Sequence, residues 1–328
     1  MKAVGLAVLA IYVVAAPVAA QEIDSVTLSE SVIVLQGGGG NVTVIDTAVG
    51  LVIIDTFISP AIARRGREVI AGFSDAPVRY AINTHYHYDH TFGNQEFADA
   101  IIVAHANCDE SIRTRNPEWL EMFSEAVENI PDLERQLGAA GLAPEDAQRI
   151  EGELARARRI REILDELVLT PAELALERSA TLRLGGKDIR LLHFGPGHTD
   201  GDLVIHVPEE NLIVTGDLVF HHIIPYIDVD AGADILNWID ILDELIRIGG
   251  DDAVVVPGHG EVGSIQVLID QRDYLQDLWD AVASARERGL TLEQAQTEIA
   301  LEQYREYDGY EQSLAANVEY CWRISERE

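Results

Sequence analysis

The stretch Val78-Arg79-Tyr80-Ala81-Ile82-Asn83-Thr84-His85-Tyr86-His87-Tyr88-Asp89-His90 decides how this chain is read. Val78–Ile82 has strand character, and three imidazoles and a carboxylate follow it within six residues. His85 and His87 are two apart, and in an extended chain such residues point to the same side. They can therefore grip one ion at a strand end. As the chain turns into Thr91-Phe92-Gly93-Asn94, Asp89 and His90 swing to another side and can face a second ion. A catalytic zinc site takes three protein ligands and a water. Four candidate ligands are one too many for a single open site, so the pattern points to two metals whose remaining ligands lie elsewhere.

Other strand ends supply them. Residues 188–194 read as a strand that runs into Gly195-Pro196-Gly197-His198-Thr199-Asp200-Gly201-Asp202, a glycine-rich loop with one imidazole. Thr215-Gly216-Asp217 follows an apolar run and offers a carboxylate. Val256-Pro257-Gly258-His259-Gly260 ends another such run and offers a further imidazole. Glycine permits the tight turns and close backbone approach that a converging site needs.

The surrounding pattern is mixed α and β. Residues 25–55 read as successive β-branched strands broken by the glycines of 37–40 and by Gly50. Residues 61–73 have helical spacing, and residues 101–104 form a short strand. Residues 117–177 are rich in Glu, Arg, Leu and Ala, with helical periodicity over 120–130, 145–167 and 171–177. They read as a helical insertion between two β-rich halves, either a passive surface addition or a cap over the pocket mouth. Strands resume over 181–184, 188–194, 203–207 and 212–215. An amphipathic helix over 235–248 and a buried strand over 253–256 follow, then a C-terminal helical segment, 265–328, with helices at 265–285 and 292–304. This order predicts helices layered outside sheets.

With these residues in place, the chain resembles the metallo-β-lactamase superfamily of metallohydrolases. The resemblance rests on His85-x-His87-x-Asp89-His90, Gly197-His198-Thr199-x-Gly201-Asp202, Thr215-Gly216-Asp217 and Pro257-Gly258-His259-Gly260, in order, across residues 25–262. It implies an α/β fold, the αβ/βα sandwich, with the metals at one edge between two sheets. It also implies a first metal on His85, His87 and His198, a second on Asp89, His90 and His259, and Asp217 bridging them. Aspartate at 217 sets the chain apart from the β-lactamases that carry cysteine there. Histidine at 87 sets it apart from diiron relatives with glutamate there, and suits zinc, with iron or manganese as other possible ions. The set looks closer to the glyoxalase II and lactonase branches, and to a branch of exported hydrolases in which residues 217–228 read as a strand entering the pocket wall. The implied activity is dinuclear and zinc-dependent, with a metal-bound hydroxide attacking an ester, lactone, thioester or lactam carbonyl. Zinc lowers the pKa of its water from about 15.7 to roughly 7, which supplies that nucleophile at neutral pH. A β-lactamase main activity and a single-iron persulfide dioxygenase keeping His85, His87, His198 and Asp217 are the alternatives.

Asp89 is expected both to bind metal and to orient the nucleophile. Asp55 and Asp202 are candidates to hold the far nitrogens of ligand imidazoles. His221 and His222 are candidate catalytic residues, one of them facing substrate or a developing oxyanion. His193 and His206 read as structural and His105 as a local hydrogen-bonding residue. Tyr86 and Tyr88 either line the pocket mouth or pack as aromatics. Cys108 and Cys321 either pair or remain separate buried thiols.

Composition limits the partners. The chain has 328 residues, 47% of them hydrophobic, enough for a sizeable core, and a formal net charge of −32. That charge repels phosphate backbones and anionic lipid, so nucleic acid and membrane surfaces are not expected partners; a small molecule is. Lys2, the apolar residues 3–14 and the small residues Val18-Ala19-Ala20 predict a signal peptide over 1–20, cleaved before Gln21. The mature domain, 21–328, is then periplasmic or secreted.

Overall fold

Apolar residues here alternate between two cores rather than between core and water. In β2 (Val32–Gln36), Val32 and Val34 face one buried cluster while Ile33 and Leu35 face another. In β4 (Gly50–Ile54), Val52 and Ile54 go one way, Leu51 and Ile53 the other. A sheet covered on both faces needs such continuous β-branched runs. The computed structural model describes residues 22–139 and 141–325; the expected signal segment, 1–20, lies outside them.

The first sheet runs in sequence order from β1 (Asp24–Ser29) through β2, β3 (Val42–Thr47), β4, β5 (Val78–Ile82) and β6 (Ile101–His105) to β7 (Leu174–Leu176). Its pairings are antiparallel as far as β4 and parallel from there on. The second holds β8 (Ala180–Leu184), β9 (Lys187–Leu192), β10 (Val204–Val207), β11 (Leu212–Phe220), β12 (Val254–His259) and β13 (Gly263–Ser264), in the order 13-12-11-10-9-8. Only β11 and β12 are parallel there. Between the sheets, Val34, Ile45, Val52 and Ile82 meet Leu191, Ile205, Val214 and Val256. The outer face of the first sheet lies under α1 (Pro60–Phe73) and the helical insertion. That of the second lies under α7 (Ile235–Gly249), α8 (Gln266–Glu287) and α10 (Tyr310–Ser325). The result is the four-layer αβ/βα sandwich.

The insertion comprises α4 (Asn116–Glu128), α5 (Ile130–Leu137) and α6 (Pro144–Glu166), after α3 (Ala106–Thr114). It has a small core of its own, Ile130, Leu133, Ile150, Leu154 and Ala157, while Phe123, Ile160 and Ile163 join the core of the first sheet. Three expectations change. Residues 171–177 are not helical: Leu174–Leu176 pairs in parallel with β6, and this long-range edge pairing overrides a local periodicity. The strand expected over 217–228 stops at Phe220, because His222 adopts φ 58° and Ile223 then bridges to Asp308. The last helices also divide differently. α9 (Leu292–Glu298) stops short of Leu301, which sits at φ 44°, and α10 follows it. Cys108 and Cys321 are free buried thiols in different cores, so no bridge forms. No described helix is long and apolar enough to cross a membrane.

α7 holds the second sheet in register at the site. Asp234 caps it by accepting from the backbone of Leu236 and Asn237, which satisfies two amides that lack helical partners. Trp238, fully buried, donates its indole N–H to the carbonyl of Leu218, 2.9 Å away and next to Asp217. Trp238→Ala is expected to cost about 3–5 kcal/mol through the cavity it leaves, read as a lower midpoint in denaturant titration of the full chain.

Candidate metal centre

Seven side chains converge where the strands of both sheets end. His85, His87, Asp89 and His90 follow β5, the last two on the single turn α2 (Tyr88–Thr91). His198 lies between β9 and β10, Asp217 within β11 and His259 at the end of β12. All seven are buried. They form two groups, His85, His87, His198 with Asp217, and Asp89, His90 with His259, each with its ligand atoms within 4.8 Å of one another.

The imidazoles face one another through nitrogen. His87 Nδ1 lies 3.0 Å from His85 Nε2 and 3.1 Å from His198 Nε2. His90 Nε2 lies 3.3 Å from His259 Nε2, which is 3.1 Å from Asp89 Oδ2. Asp217 stands between the groups. Its Oδ2 is 3.5 Å from His85 Nε2 and 3.7 Å from His198 Nε2; its Oδ1 is 3.2 Å from His90 Nε2 and 3.4 Å from His259 Nε2. That Oδ1 is buried and takes no hydrogen bond. A buried carboxylate oxygen without a donor is costly unless a cation compensates it.

Protonation tells the same story. Burial pushes His85 well below its ordinary value and His198 down to about 3, which leaves both neutral and able to donate a lone pair. Burial also opposes ionisation of Asp89 and Asp217, but His90 and His259 outweigh it and hold both carboxyls well below their usual range. Conversely, burial pulls His90 and His259 down while the carboxylates raise them, His259 to about 9. The second group thus balances its carboxylates with protons on imidazoles. Divalent cations would displace those protons and supply the same compensation, so this donor set fits metal.

The far nitrogens are tied down. His90 Nδ1 bonds Asp55 Oδ2 at 2.8 Å, and Asp55 also accepts from the amide and hydroxyl of Thr84, whose hydroxyl lies 3.0 Å from His85 Nδ1. Asp55 does this from φ 62°. His198 Nδ1 bonds the carbonyl of Tyr226 at 2.9 Å, and His87 Nε2 lies 3.0 Å from Asp228 Oδ2. Asp202 instead accepts from the amide and hydroxyl of Thr199, so it braces the His198 loop rather than an imidazole; burial raises it to about 7. Nothing local marks Asp228 and Tyr226, which lie far along the chain from the imidazoles they hold, while Thr84 is next to His85 and shows its role only through its bonds to Asp55.

The glycines of 37–40 do more than break strands. A Cβ on Gly40 would meet His90 Cε1 at 2.1 Å, and one on Gly258 would meet Asp217 Oδ1 at 1.9 Å. Asn41 ties this loop to the His259 end of β12 through the carbonyls of Pro257 and Gly260, both at 2.9 Å.

The structure does not bring His221 or His222 into the cluster. His221 Nδ1 is held by the carbonyl of Glu261 at 2.7 Å, and exposed His222 packs on Tyr307, so neither belongs to the two groups of ligand side chains. Tyr88 packs against Phe92, Trp119 and Phe123, and Tyr86 is buried with its hydroxyl on Asp228, so neither lines a mouth. His105 accepts from the Asn107 amide and stacks on His193 at 3.8 Å, and His206 is buried in β10.

The family model of the metallo-beta-lactamase superfamily matches residues 35–259. The chain therefore belongs to that superfamily and is a metallo-hydrolase within it. It is 26% identical to acyl-coenzyme A thioesterase MBLAC2 of Bos taurus over 66% of this chain and 68% of that one. It is 28% identical to metallo-beta-lactamase type 2 of Bacillus cereus over 31% of this chain and 40% of that one. The sec-alkylsulfatase Pisa1 from Pseudomonas sp. shares the fold, with a TM-score of 0.67 and 18% identity, over 92% of this chain and 50% of that one.

Gly258→Ala is expected to push Asp217 out of place and reduce the divalent ions bound per chain, measured by elemental analysis, while far-UV circular dichroism stays unchanged.

Proposed function

We propose that this protein is an exported dinuclear zinc hydrolase that cleaves a carbonyl substrate, an ester, thioester, lactone or lactam. The observation that carries the reading is Asp217, whose two oxygens each face a different group of imidazoles. His85, His87 and His198 would hold one ion, Asp89, His90 and His259 the other, with Asp217 shared. Bound there, the pair of ions supplies an activated water at neutral pH and polarises the scissile carbonyl. Asp89 would orient that water by accepting its hydrogen bond. The water's oxygen forms the new bond to the carbonyl carbon, and a proton from the water ends on the departing oxygen, sulfur or nitrogen. The bond to that atom breaks to give an acid and a neutral leaving group. Asp55 and Thr84 keep His90 and His85 aimed inward.

The similarity to a thioesterase over two thirds of both chains supports acyl cleavage. A net charge of −32 disfavours polyanionic carriers such as coenzyme A, so uncharged esters, thioesters and lactones are the favoured class. The N-terminal pattern supports export, and N-terminal sequencing of the mature protein should begin at Gln21.

Zinc-loaded protein assayed on aryl esters, lactones, thioesters, coenzyme A thioesters and β-lactams should hydrolyse at least one uncharged carbonyl substrate. Asp89→Asn should lower kcat on the order of a thousandfold, several kcal/mol of lost stabilisation. One iron per chain, with oxygen consumed on a persulfide and no hydrolysis, would replace this reading with the dioxygenase.

A further inference from the structure

We infer that Asp228, together with Tyr86, selects the tautomer of His87 and so decides whether the first group of imidazoles can hold an ion. The inference rests on the metal reading above and adds a positioning residue to it. Of the five imidazoles, His87 alone turns Nδ1 towards the other ligand nitrogens; His85, His90, His198 and His259 use Nε2. A neutral imidazole carries its proton on one nitrogen only, and the other keeps the lone pair. For Nδ1 to donate to a cation, the proton must sit on Nε2, and the neighbour of Nε2 sets that choice.

That neighbour is Asp228 Oδ2, 3.0 Å from His87 Nε2 and 2.5 Å from the hydroxyl of Tyr86. The oxygen accepts from both, and the hydroxyl of Tyr86, 2% exposed, is spent on it. The other oxygen is occupied too: Oδ1 accepts from the Ala231 amide at 3.0 Å, and the Asp228 carbonyl accepts from Ala231 and Ala233. The carboxylate is therefore fixed by its own turn and cannot rotate away from His87. The same loop supplies the Tyr226 carbonyl that holds His198 Nδ1, so residues 226–228 orient two imidazoles of one group and none of the other.

Asparagine separates the roles. In Asp228→Asn the amide oxygen can still accept from Ala231, so the turn is kept. An NH2 then faces His87 Nε2 and, being a donor, favours the lone pair there and the proton on Nδ1, the form that cannot bind a cation. The loss should fall on one ion of the pair.

The test is chelator-competition titration of zinc into the full chain, wild type against Asp228→Asn and Tyr86→Phe, with cobalt absorption spectra as a second readout. Asp228→Asn should weaken one ion about 10- to 100-fold, the range for lost outer partners of metal ligands, and leave the other within about threefold. Tyr86→Phe should weaken the same ion by less, because Asp228 remains. A folded Asp228→Asn protein that binds both ions as the wild type does overturns the inference and leaves the metal reading standing. A wild type that binds no divalent ion overturns both. Should the variant not fold, nitrogen-15 spectra of the zinc-loaded wild type decide: a proton on His87 Nε2 supports the inference, and a proton on Nδ1 overturns it.

Discussion

The structure depends on one buried negative charge, the carboxylate of Asp217. It sits among four imidazoles, has an oxygen with no hydrogen-bond donor, and lies on a strand buried throughout its length. Such a group is tolerated only with positive charge beside it. Everything that approaches it is arranged to bring that charge close. Gly216 and Gly258 give the backbone room, Trp238 anchors the adjacent carbonyl, and two groups of ligand side chains close on its two oxygens.

The sandwich makes that convergence possible. β5 belongs to one sheet and β11 and β12 to the other, yet all three bring ligands to one edge because the inter-sheet core holds the sheets face to face. The outer helices then fix loops rather than merely cover apolar surface. α7 does so for the His198 loop, through Asn237 on the carbonyls of Phe194 and Pro196, and for β11 through Trp238. The helical insertion packs Trp119 and Phe123 on Tyr88, directly beside Asp89, and so backs the turn that carries two of the seven side chains.

Much of this was legible in the chain. The β-branched runs of 32–35 and 51–54 announced strands because both faces are buried, and Val78–Ile82 marked the strand before the His/Asp run. The seven candidate ligands were visible because each follows a strand-like run and is flanked by glycine or by another ligand, although Asp217 proves to lie within β11. The misreadings share one cause. Residues 171–177 have helical spacing but pair with β6, His222 leaves the strand for a left-handed conformation, and Leu301 does the same between α9 and the turn after it. In each, a pairing with a distant strand or a left-handed backbone residue outweighs the local pattern.

The sequence by itself determined the layered α/β architecture and the identity of the seven converging side chains, because strand periodicity and ligand spacing are local properties. Only the tertiary structure decided which partner each imidazole keeps. Asp55 serves His90, Asp228 serves His87, Asp202 serves a threonine, and His221 and His222 lie outside the cluster. Those pairings join residues as many as 141 positions apart. A hydrogen bond is satisfied by proximity in space, and no local pattern records which distant carboxylate the fold will place within reach.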